Sequence, residues 1–152
     1  MEYIDIYRML DEHQSLEIQA QGIKAAREMA DIDKFILPMS PEYSKNVWLN
    51  CAKILDEKTD QQLSPYLPEL LEWLQDLNWP GTFIIIDRLK RFNGQLLLKP
   101  FVKAMEKACE KNSEKQEWAY YLAILIENQD LAKKLPDEVS IQVQELYNDF
   151  WN

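Results

Sequence analysis

Two segments of the chain carry the same helix-opening pattern about 32 residues apart, Leu67-Pro68-Glu69-Leu70-Leu71 and Leu98-Lys99-Pro100-Phe101-Val102. Helices built around Leu55, Leu89 and Leu122 recur at a similar spacing. This constrains the fold more than any other feature, because a helical hairpin of that length must bury its apolar face against a neighbour. The spacing predicts an all-α chain, a right-handed α-α superhelix of stacked hairpins with about eight helices forming a single domain over residues 1–152. An irregular helical bundle is the alternative that the same spacing leaves open.

Composition supports the helical reading. Only three glycines occur, Gly22, Gly81 and Gly94, and β-branched residues cluster only at Phe83-Ile84-Ile85-Ile86. That run alone suits a buried strand, but Asp87 to Phe92 extends it with helical periodicity, and we read it as a helix closed by Asn93-Gly94. Ser15 reads as an N-cap, with Gly22 inside the helix that follows as a point of close packing. Ser40-Pro41-Glu42 reads as the start of the next helix, whose buried stripe is Tyr43, Val47, Trp48, Cys51, Ile54 and Leu55. A capping box at Ser113 to Gln116 opens a helix through Trp118 and Ile126 that is apolar nearly all round and is expected to be central. Asp137 starts a last amphipathic helix through Val143 and Leu146 to Phe150 and Trp151.

The stretch from Tyr66 to Pro80 contains PELLEWLQD followed by an NWP turn. It resembles the signature of a small bacterial domain family of unknown function, and it also resembles a HEAT/armadillo unit, with a proline in the first helix and an Asp near the turn. The resemblance covers Ser64 to about Phe92. It implies a fold and no activity, and it implies structural roles for Asp76 and Arg88.

No catalytic or metal-ligating set is evident, and no cofactor is implied. His13 is the sole histidine and sits in a polar turn, too few ligands for a metal site and without a GxSxG-type elbow for nucleophilic catalysis. Three scattered glycines make no phosphate-cradling loop. Cys51 and Cys109, each beside an alanine with no CxxC spacing, read as reduced core residues. Asp56/Glu57 and Asp137/Glu138 read as helix-end acids explained by dipole and solvent. The alternating run Lys103, Glu106, Lys107, Glu110, Lys111, Glu114, Lys115 reads as a self-paired, solvated helix face.

With 26 acidic and 17 basic side chains the formal charge is −9, which disfavours general nucleic-acid or membrane binding and suits a basic protein partner. Met1 to Leu10 lacks the apolar stretch of a signal peptide, and no window is long enough to cross a bilayer, so a cytoplasmic address is expected. The function expected is a non-catalytic protein-interaction module. Its candidate contact residues are Asp76, Trp79, Asp87, Arg88, Arg91 and Tyr121. Two alternatives stand beside it: an immunity-type protein neutralising a basic toxin, and a helical-repeat nucleic-acid-binding protein or enzyme using Asp87, Arg88 and Arg91.

Overall fold

Local capping chemistry sets where each helix begins. In the computed structural model, which describes residues 1–110 and 116–152, the Ser15 hydroxyl accepts from the Ile18 N–H, starting α2 (Leu16–Arg27) after α1 (Tyr3–Leu10). Thr59 and Gln62 form a reciprocal capping box that opens α4 (Asp60–Leu63), and α4 runs on through a 3-10 turn into α5 (Leu67–Glu72). The described residues form helices and turns without any strand, and the run Phe83 to Ile86 is helical, inside α6 (Thr82–Lys90).

Two expected boundaries are corrected. Ser40-Pro41-Glu42 does not open a helix: the Ser40 N–H donates to the Tyr43 carbonyl at 2.8 Å, closing a turn that lays the Tyr43 ring 4.2 Å from that of Tyr7. Helix begins only at the 3-10 turn Lys45–Val47 and continues as α3 (Trp48–Asp56), where Val47, Trp48, Cys51, Ile54 and Leu55 are buried and Tyr43 is half-buried. Likewise Asn93-Gly94 is a start and not a stop. The Asn93 side chain accepts from the Leu96 N–H and opens α7 (Gly94–Ala108), so Leu98-Lys99-Pro100, expected to open a helix, lies inside it. Gly94 is required there because a Cβ would come 2.5 Å from the Asp130 backbone carbon. The expected Ser113 cap lies outside the described residues; the helix it was to open is present as α8 (Gln116–Leu122), continued by a 3-10 segment, Ala123–Glu127. The short helix α9 (Gln129–Lys134), capped by Asn128, was not anticipated, and α10 (Asp137–Phe150) follows it.

Helices from the later part of the chain pack in two rows. α5 touches α7 and α7 touches α9; α3 touches α6, α6 touches Ala123–Glu127, and that segment touches α10. α7 also touches α8, whose continuation Ala123–Glu127 lies in the second row. One apolar core runs from Ile6 to Val143, with Trp48, Trp73, Phe101, Trp118 and Leu122 buried in it. The α8 stretch is central as expected, since Trp118, Ala119, Leu122, Ala123, Ile124 and Leu125 are all buried.

Close approach is enforced at the turns. Gly81 has φ +87°, open to glycine at little cost, and a Cβ there would meet that of Ala52 at 2.7 Å. α2 lies so near α1 that a Cβ at Gly22 would come 2.8 Å from that of Met9, the tight packing anticipated at that position. Cys51 is buried, which pushes its thiol pKa up, but Cys109 is exposed at the end of α7, where its Sγ accepts from the Gln142 side chain; the expectation of two core cysteines holds for one.

Candidate partner-binding surfaces

Three basic side chains at the end of α6 looked like a cluster available to a partner. Each has a carboxylate partner inside the protein. Arg88 is only 7% exposed; its guanidinium donates to the Asp60 carboxylate at 2.6 Å and to the Lys58 carbonyl at 2.9 Å, and lies 5.2 Å from the Phe92 ring centre. Arg91 pairs with Asp56 at 2.6 Å and Lys90 with Glu127 at 3.0 Å. Arg88 thus belongs to the interior and offers no surface contact.

These pairs form part of a rim. Arg27 at the end of α2 grips Glu57 beyond α3 with two bonds of 2.7 and 2.8 Å; Asp56 at the end of α3 takes Arg91; Lys90 at the end of α6 takes Glu127; and the Tyr147 hydroxyl of α10 donates to that same Glu127 at 2.7 Å. Each rung joins neighbouring helices of one row at their C-terminal ends. A carboxylate at a helix C-terminus is opposed by the helix dipole, so Asp56, Glu57 and Glu127 sit there because of cations or hydroxyls from the next helix, and not because of the dipole. The hydrogen bond from Arg27 holds the Glu57 carboxyl below its usual range, and those from Tyr147 and then Lys90 do the same for Glu127.

Behind the rim, the buried Asn128, the half-buried Asp60 and the exposed Asp130 fasten the turns. Asn128 donates to the carbonyls of Leu89 and Phe92, both at 2.9 Å, and accepts from the Leu131 N–H. Asp60 accepts from the Asn93 N–H as well as from Arg88, and Asp130 accepts from the Gly94 N–H at 2.6 Å. None of these residues was singled out in the sequence, although an acid at a helix C-terminus, such as Asp56, is a locally unfavourable placement that signals a distant cation.

The remaining contact candidates do not assemble into one site. Asp76 shapes its own turn, accepting from the Asn78 N–H through its side chain and from the Thr82 hydroxyl through its carbonyl. Trp79 is half-buried, with its ring edge-on to Trp48 at 5.4 Å and the Lys45 ammonium 5.9 Å from its centre. Asp87 is exposed in a shallow depression on the rim with Asp56, Ile84, Lys90 and Arg91. Tyr121 lies on α8, its hydroxyl donating to Glu117 at 3.3 Å; burial, then the Glu117 carboxylate, then that of Asp76 raise its pKa.

A groove on the other row was not foreseen. Two adjoining depressions run between α5 and α7 and on to Pro136, with Pro68, Leu98, Pro100, Val102, Ala104 and Trp118 in their lining. Pro100 removes a helical N–H from α7. The groove is edged by Glu72, Lys99, Lys103, Glu106, Lys107 and Glu110. Among the described residues none of these six makes an ion pair within 4 Å. The expectation that this face pairs with itself is corrected for Lys103, Glu106, Lys107 and Glu110, while Lys111, Glu114 and Lys115 lie outside the described residues. Oppositely charged neighbours one turn apart gain only tenths of a kcal/mol in water, too little to hold these long side chains together.

Among the described residues no three His, Cys, Asp or Glu side chains gather as a metal site, and no helix is long and apolar enough to cross a membrane. His13 is exposed, with its ring nitrogen and backbone N–H both on Asp11 at 2.8 Å. The family described as Domain of unknown function (DUF5071) matches residues 49–149, from α3 to near the end of α10. No curated protein and no solved structure matches the chain.

Proposed function

We propose that this chain, which belongs to the DUF5071 family, is a non-catalytic, HEAT-like interaction module that binds another protein in the groove between α5 and α7. The observation that carries the reading is the combination found there: an apolar floor open to solvent, edged by charges of both signs that make no ion pair among the described residues. Apolar area with unspent charge around it is what a protein partner needs for burial and for register. The rim, with its cations neutralised, offers a phosphate backbone no comparable foothold, and this weighs against the nucleic-acid alternative.

Affinity purification from the native host tests this with two baits, the unaltered chain and a Val102→Asp/Lys103→Glu variant, compared by quantitative mass spectrometry. Loss of one specific protein from the variant supports the groove; identical captures by both baits sink it. A second reading, immunity against a basic toxin, draws on the net charge of −9. It requires a toxin reading frame beside the gene, and a solitary gene would count against it.

A further inference from the structure

The groove leaves one exposed aromatic patch unexplained, where α10 meets α8. Phe150, in the last turn of α10, is 47% exposed, and its ring centre lies 6.3 Å from that of Tyr120, 5.5 Å from Tyr121 and 4.9 Å from Trp151. The patch is held in shape from within: the Trp151 indole N–H donates to the Tyr120 carbonyl at 2.7 Å, and Tyr121 donates to Glu117 one turn earlier on α8. Among the described residues no lysine or arginine pairs with Glu117, and none lies over these four rings. Elsewhere the protein supplies its own cations to its rings, Lys45 to Trp79 and Arg88 to Phe92.

Aromatic faces beside an unpaired carboxylate attract a cation through the ring quadrupole and the charge together. We propose that this patch docks an arginine- and lysine-rich segment of a partner protein, with a guanidinium or ammonium lying on Phe150 between Tyr121 and Trp151 and Glu117 as its counter-charge. A chain of net charge −9 steers such a segment toward it from a distance. The site is separate from the α5–α7 groove and stands whether or not the groove binds anything.

The test titrates the full chain with hexa-arginine peptide at low salt by calorimetry, with hexa-glutamate as the control. Saturable single-site binding of hexa-arginine is expected, with none of hexa-glutamate. Phe150→Leu, which keeps the apolar bulk and removes the ring face, should weaken binding about fivefold, Phe150→Trp should restore it, and Glu117→Gln should weaken it about threefold. Val102→Asp/Lys103→Glu, which leaves the net charge three units more negative, should bind hexa-arginine at least as well as the unaltered chain. If Phe150→Leu and Glu117→Gln both bind like the unaltered chain, overall negative charge accounts for the binding and the site is overturned; absence of hexa-arginine binding overturns it as well.

Discussion

The rim and the groove are built from the same kinds of side chain and treat them in opposite ways. On the rim, Arg27, Lys90 and Arg91 each reach across to a carboxylate on another helix of the row, and Arg88, just behind it, does the same to Asp60. In the groove, Lys103 and Lys107 lie within a turn of Glu106, and Lys107 within a turn of Glu110 just past the end of α7, yet among the described residues none of these pairs forms. The difference teaches that charge in this fold holds helices together where two of them meet end to end. Along the groove-facing side of α7, the charge stays available for a partner.

The largest expected effect breaks the rim at its buried member. Arg88→Met leaves Asp60 and the Lys58 carbonyl without their donor, and should cost about 3 kcal/mol in chemical denaturation, as removal of one partner from a buried pair does. Restoring most of that loss with Asp60→Asn in the Arg88→Met background would sharpen the assignment. Asn128→Ala removes a side chain that ties two carbonyls at the end of α6 to an N–H in the first turn of α9, and should cost about 2 kcal/mol by the same measurement. Arg91→Ala, at the exposed end of the rim, should cost no more than about 0.5 kcal/mol, and less in high salt. In the groove, Lys103→Glu should change stability by less than about 0.5 kcal/mol. A groove charge as costly as Arg88 would erase the contrast.

The same contrast has a pH signature. Glu57 and Glu127 have carboxyl pKa values lowered in the folded protein, so their contribution is present above the ordinary value of 4.5 and is lost as pH falls through the lower folded values. Stability from these rungs should be flat between pH 7 and about 5 and should decline below about 4.5. Glu57→Gln together with Glu127→Gln should flatten part of that decline in acid denaturation curves.

Much of the fold was legible because its signals are local. Helical periodicity continuing from Phe83 through Phe92 settled the run of isoleucines, and Ser15 announced its cap. What was misread depends on contacts between distant residues. Asn93-Gly94 suits a stop as well as a start, and the choice is made by Asp130, which takes the Gly94 N–H and leaves no room for a Cβ. Arg88, Lys90 and Arg91 looked free because their partners, Asp60, Glu127 and Asp56, are supplied by neighbouring helices. The groove was hidden for the opposite reason: periodicity alone gives opposite charges one turn apart every appearance of pairing.

Hydrogen–deuterium exchange of the purified chain, alone and with the protein it captures, tests the division of labour most directly. Protection should appear in α5 and in α7 from Leu96 to Lys107, with exchange at Asp56 to Lys58 and Arg88 to Phe92 unchanged. Protection confined to the rim, with α5 and α7 exchanging as in the free chain, would contradict the account.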